Sequence, residues 1–221
     1  MAGRPRLLLV DDHHLILESL RLALQEEHEV AGMVATGAEA VKACRQLRPD
    51  LVLLDLSLPD RSGLEVISDL RQVMPEVRIL IVTMHVDRIL ADASLQAGAQ
   101  GFIPKDADLA ELRLAIAEVL SGNRYLSPLV PEPSPRQFPP ELRLGMSKLT
   151  PRQRDIVRKL GEGKSSARIG RELHLTPPTI TFHRGRIRKT LGLKNEWELL
   201  RYALVIRMSE AEASVLHDRS A

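Results

Sequence analysis

The sequence has little of what fixes small secreted or membrane-bound proteins. It holds one cysteine, Cys44, in 221 residues. A lone thiol excludes a disulfide framework and a cysteine-based zinc site. No apolar run approaches the ~18 residues that would span a bilayer. The start, Met1-Ala-Gly-Arg-Pro-Arg6, leads into only four apolar residues before two aspartates, which is too short for a secretory leader. A soluble cytoplasmic protein without membrane association is expected. No internal repeat is apparent. Net charge is nearly absent as well: 31 Lys plus Arg against 29 Asp plus Glu leave +2. As a total, that figure argues against a nucleic-acid partner.

The distribution of charge reverses that reading. Residues 1–125 carry a net −6, residues 126–147 a net 0, residues 148–208 a net +10 and residues 209–221 a net −2. An acidic two-thirds joined to a strongly basic third suggests a nucleic-acid-binding module at the basic end. Residues 126–147 hold six of the fourteen prolines. Proline fixes φ and lacks an N–H, so this stretch reads as a semi-rigid linker. The expected organisation is an acidic domain over 1–125, a Pro-rich linker over 126–147, a basic domain over 148–208 and a flexible tail over 209–221.

In the acidic domain, short apolar runs alternate with amphipathic helical patterns. Arg6–Val10, Leu51–Leu54, Val77–Thr83 and Gly101–Pro104 read as strands, with a weaker one at Glu29–Ala35. Continuous apolar runs of this length fit strands buried on both faces of a parallel sheet. Five repeats of strand then helix imply a doubly wound α/β domain with a five-stranded parallel sheet. Four strands end in chemistry: Asp11 and Asp12 after the first, Asp55 after Leu54, Thr83 at the end of the next, Lys105 after Pro104. Ligands in such sheets bind outside the carboxyl ends of the strands. Three carboxylates in one crevice repel one another unless a cation sits among them. Oxygen ligands with no His or Cys constellation nearby favour Mg²⁺. The set suits an aspartate nucleophile receiving a phosphoryl group, with the metal and Lys105 neutralising the transferred oxygens.

These residues carry a resemblance. Val10-Asp11-Asp12-His13, the run from Asp50 through Asp55 to Gly63, Val82-Thr83 and Phe102-Ile-Pro-Lys105 resemble the receiver domain of two-component response regulators, a flavodoxin-like fold. The resemblance implies that Asp55 is the phosphoacceptor. It implies that Asp12, Asp55 and the Ser57 backbone carbonyl bind Mg²⁺, with Asp11 acting mainly through water. Thr83 and Lys105 would contact the phosphoryl oxygens, and Phe102 stands at the position of a switching aromatic. Met84, where a smaller residue is frequent, is expected to alter dephosphorylation.

The basic third reads as four short helices. Thr150-Pro151 and Thr176-Pro177 are start signals, a capping hydroxyl followed by proline. Ser165 or Ser166 caps a helix between them, and a fourth begins near Asn195. A tight turn between the second and third makes a helix-turn-helix unit. At 100° per residue, Ile180, Ile187 and Leu191 of the third helix share one side. Phe182, Gly185, Arg186 and Lys189 face away, flanked by Thr181 and Arg188. An exposed aromatic among arginines is costly as plain surface and sensible against DNA, where it can meet a thymine methyl. Gly185 costs ~1 kcal/mol of helix propensity, in exchange for close approach to DNA. Residues 148–208 resemble the LuxR-type DNA-binding domain, through Leu149-Thr-Pro-Arg-Gln-Arg154, Leu160-Gly-Glu-Gly163, Thr179-Ile180, His183 and Leu191-Gly-Leu193. The resemblance implies that Thr179 bonds phosphate, that positions 181, 182 and 185 face the major groove and that His183 packs or bonds phosphate.

Receiver plus LuxR-type domain identifies the chain as similar to the NarL/FixJ family of response regulators. The resemblance implies a transcription factor, not an enzyme, switched by a sensor histidine kinase. It further implies a homodimer when phosphorylated, a near-palindromic DNA site and RNA polymerase as a downstream partner. Two alternatives compete. One is a DNA-binding regulator with a vestigial receiver. The other is a Mg²⁺-dependent aspartyl phosphatase or phosphotransferase, which usually carries a second aspartate where this chain has Ser57.

Overall fold

A computed structural model describes residues 3–132 and 145–218, with side chains described to residue 210. The chain divides into two compact units, one ending at Glu132 and the other beginning at Pro133.

The first unit alternates strand and helix in the order β1 (Arg6–Val10), α1 (His14–Leu24), β2 (Glu29–Val34), α2 (Gly37–Leu47), β3 (Leu51–Leu54), α3 (Gly63–Val73), β4 (Arg78–Thr83), α4 (Arg88–Ala97), β5 (Gly101–Pro104), α5 (Leu109–Leu120) and β6 (Tyr125–Leu126). The sheet order is β2-β1-β3-β4-β5-β6, and every named pairing is parallel. The apolar runs become the central strands because both faces are covered. Leu7, Leu9, Leu51, Leu53, Leu80, Val82 and Ile103 pack with Leu17 and Leu24 of α1 and Leu112, Ile116 and Val119 of α5. The alternate residues Leu8, Val10, Val52, Leu54, Ile79 and Ile81 face the other way and are equally buried. Strand order reverses between β1 and β3, so the crevice at their carboxyl ends is the switch point.

Two boundaries differ from expectation. The sheet has a sixth strand, because Tyr125 and Leu126 pair with Gly101 and Phe102 along the open edge of β5. The linker expected from residue 126 therefore starts later: Leu126 is in the sheet, and Ser127 and Val130 are buried against this unit. Most of the expected linker, residues 133–144, lies outside the described residues.

The second unit includes the helices α6 (Pro151–Gly161), α7 (Ser166–Leu173), α8 (Pro177–Leu191) and α9 (Glu196–Asp218), and residues 145–147 are helical as well. Their starts follow the capping chemistry. Thr150 and Gln153 form a capping box, while Ser165 and Thr176 accept from the backbone of Arg168 and Thr179. Ile156, Val157, Leu160, Ile169, Ile180, Ile187, Leu199, Tyr202, Ala203 and Ile206 form the core. The expected flexible tail over 209–221 is corrected in part. Helix α9 continues through it to Asp218, since no glycine or proline interrupts residues 196–218. Residues 219–221 lie outside the described residues. Among the described residues no helix is long and apolar enough to cross a membrane.

Candidate functional site

The carboxyl ends of β1, β3, β4 and β5 bring the expected groups together. Lys105 Nζ lies 2.6 Å from Asp11 Oδ2 and 2.9 Å from Asp55 Oδ2. Ligand atoms of Asp11, Asp12, His13 and Asp55 all lie within 4.8 Å of one another. Asp55 is only 3% exposed, and its Oδ1 is buried without a hydrogen-bond partner. Burial pushes the Asp55 carboxyl above its ordinary range, with Lys105 pulling the other way and Asp11 adding to the rise. Burial also draws the Lys105 ammonium down, but its hydrogen bond to Asp11 and its pairing with Asp55 outweigh this and hold it above its usual value. One ammonium cannot neutralise three carboxylates. The surplus negative charge of these clustered carboxylate oxygens fits a hard divalent cation such as Mg²⁺.

The remaining positions frame this pocket. The Ser57 backbone N–H bonds the Asp55 carboxylate. Thr83 is fully buried; its carbonyl accepts from the Lys105 backbone N–H at 2.8 Å, and its Oγ1 accepts from the His85 N–H at 3.3 Å. Phe102 is fully buried in β5, so any movement of it repacks the domain. Met84 is an exposed side chain.

Two histidines were not legible as parts of the site. His13, expected only to begin the first helix, joins the cluster: its Nδ1 lies 2.8 Å from Asp12 Oδ1 and 3.2 Å from Asp11 Oδ1. The cause is local, because the His13 backbone N–H donates to Asp11 Oδ1 at 2.9 Å and folds the ring back over the carboxylates. His85 Nε2 lies 2.9 Å from Ser57 Oγ, a contact across 28 residues. Burial lowers the His85 pKa, with the Asp55 charge opposing.

In the second unit, α8 presents the expected outward face. Thr181, Phe182, Arg186 and Lys189 are exposed, while Ile180 and Ile187 are fully buried. Thr179 Oγ1 lies 2.8 Å from Thr176 Oγ1 at the helix start. His183 and Gly185 are half-buried. Arg188 turns toward α9, with its Nε 3.7 Å from Glu196 Oε2, so it is less available outward than Arg186 and Lys189. Arg184 was missed. It is buried on the inner side, bonded to Glu196 Oε1 at 2.6 Å and to Ser166 Oγ at 2.6 Å. At about 40° from Ile180 on the helical wheel, an arginine inside the apolar stripe was the signal.

Known proteins share both units. Residues 7–117 match the response regulator receiver domain, and residues 147–203 match the bacterial regulatory proteins of the luxR family. The transcriptional regulatory protein MctR of Rhizobium johnstonii is 35% identical over 208 residues, 92% of this chain and 96% of that protein. The response regulator UvrY of Escherichia coli K12 is 32% identical over 209 residues, 93% of this chain and 96% of that protein. A solved LuxR-family two-component response regulator from Aurantimonas sp. SI85-9A1 matches at 37% identity and a TM-score of 0.56, over 58% of this chain and 93% of that one. The fold is also shared with RcsB from Salmonella enterica serovar Typhimurium, solved bound to a promoter in the presence of phosphomimetic beryllofluoride. That match has 21% identity and a TM-score of 0.57, over 92% of this chain and 100% of that one.

Proposed function

The chain belongs to the NarL/FixJ family of two-component response regulators, and from that premise we propose that a phosphoryl group on Asp55 controls its reading of DNA. The observation that carries this is the buried, unpartnered Asp55 Oδ1 beside Lys105 and two further carboxylates. That oxygen is the nucleophile. It attacks phosphorus of a phosphohistidine on a sensor histidine kinase, and the new O–P bond forms as the donor's P–N bond breaks and imidazole leaves. Asp12, Asp55 and the Ser57 carbonyl, with Asp11 alongside, would hold Mg²⁺, which would supply positive charge beside the transferred oxygens. Lys105 adds a second positive charge from the Oδ2 side. Thr83 donates its hydroxyl to a phosphoryl oxygen, and its movement with Phe102 repacks α4, β5 and α5.

Two phosphorylated copies pair, and their α8 helices enter successive major grooves of a near-palindromic site. Thr179 and the basic side chains Arg186 and Lys189 bond phosphates, with His183 and Arg188 at the margin. Thr181, Phe182 and Gly185 face the bases. RNA polymerase is the partner of the bound dimer. The relatives are regulators of transcription, which favours this reading over a phosphotransferase acting on small molecules.

The test is labelling of the full chain by acetyl phosphate with Mg²⁺. Wild type takes up one phosphoryl group and Asp55→Asn takes up none. Equal labelling of the variant refutes the assignment to Asp55, and no labelling of either protein leaves the vestigial-receiver alternative.

A further inference from the structure

The three base-facing positions of α8 offer no free hydrogen-bond donor. The Thr181 hydroxyl donates to the Pro177 carbonyl at 3.2 Å. Phe182 is 63% exposed, its ring held edge-on to His183 at 6.0 Å between centroids. Gly185 has no side chain at all, and nothing inside the protein asks for that. A Cβ built there meets no atom within 4 Å, and its φ is not left-handed. Glycine inside a helix is unfavourable, and an exposed phenylalanine leaves apolar area in water. The two liabilities sit three residues apart, so they are neighbours on one helix face. Together they form an apolar ring beside an open notch.

A surface that comes close and offers an apolar group satisfies both features. On the major-groove edge that group is the C5-methyl of thymine, whereas guanine presents only acceptors and needs donors. The most exposed basic donors of α8 near these positions are Arg186 and Lys189, and Lys189 lies in the last turn. Base edges are met mainly by the first turns of a recognition helix, and long basic side chains reach phosphates. Building on the proposed DNA-reading role, we infer that α8 selects A·T pairs by packing Phe182 on thymine methyl groups, with Gly185 leaving room for the base step to approach.

The test uses the full chain with beryllofluoride and Mg²⁺. Duplexes are selected from a random pool, and the best one is remade with deoxyuridine, which lacks only the methyl. Wild type should select thymine at the bases facing α8 and bind the uracil duplex about tenfold more weakly. For Phe182→Ala the two duplexes should differ by less than about twofold. Gly185→Ala should raise the unfolding midpoint yet weaken binding of the thymine duplex, a combination that a purely structural glycine would not give. Equal binding of the thymine and uracil duplexes by wild type overturns the inference. So does guanine as the selected base, which assigns the reading to Arg186 or Lys189. Retention of no duplex at all overturns the DNA-reading proposal itself, and this inference with it.

Discussion

Replacing Arg184 with alanine removes the tie that fixes α8 to its two neighbouring helices. Arg184 is 6% exposed, reaches Glu196 Oε1 with both Nε and Nη2 at 2.6 Å, and donates from Nη1 to Ser166 Oγ at 2.6 Å. Ser166 opens α7 and Glu196 opens α9, so one side chain joins three helices. Hydrogen bonds to charged groups contribute roughly 1.5–3 kcal/mol each. Glu196 keeps 38% of its side chain exposed and regains water when its partner is lost, so the net cost is about 2 kcal/mol. Trp197 is the only tryptophan and follows Glu196, so its fluorescence reports unfolding of this unit. With a urea slope of about 1 kcal/mol/M for a domain this small, the midpoint falls by about 2 M. Arg184→Met, which fills the space without a charge, recovers part of the loss. A shift below about 0.5 M, or a methionine variant no better than alanine, refutes the bracing role.

Three further outcomes follow from the same geometry. Lys105→Ala slows acetyl phosphate labelling of Asp55 about 10²-fold, the effect of losing one charge-stabilising group; an unchanged rate removes the lysine from the transfer. Arg186→Ala with Lys189→Ala flattens the slope of log binding constant against log salt by about 2, one phosphate contact each; an unchanged slope places the phosphate contacts elsewhere. Burial pushes the Tyr202 phenol up to about 12, and its hydroxyl has no partner among the described residues. The unfolded phenol ionises near about pH 10, so its contribution is complete below that pH and is lost as pH rises to about 12. Tyr202→Phe should be at least as stable as wild type in urea at neutral pH, with its advantage growing above about pH 10. Parallel pH profiles for the two proteins contradict the phenol's role.

The sequence showed the receiver plainly where local chemistry and tertiary burial agree. Leu51–Leu54 and Leu7–Val10 are apolar throughout because both sheet faces are covered, and Thr150 and Thr176 are capping hydroxyls followed by proline. The clustering of Asp11, Asp55 and Lys105 was equally legible, since each stands at a strand end and a parallel sheet places all strand ends together. What escaped depends on contacts without a local pattern. β6 is two residues long, and only the free edge of β5 makes it a strand. The His85–Ser57 contact joins two loops, and the His13 ring is turned by a backbone bond to Asp11. Arg184 falls on the apolar side of the helical wheel, yet arginine is rarely buried without a partner that only the fold supplies. In a domain of net +10, one buried arginine looks like the other fourteen basic residues.

The proposed switch is a change of DNA affinity when Asp55 carries a phosphoryl group. Fluorescence anisotropy of a labelled, selected duplex with the full chain, in Mg²⁺ with and without beryllofluoride, measures this for wild type and Asp55→Asn. A switch of the size usual for coupled sites tightens wild-type binding by about tenfold, about 1.4 kcal/mol, and leaves Asp55→Asn unmoved. Equal wild-type affinity in both conditions, or a response that persists in Asp55→Asn, contradicts the account.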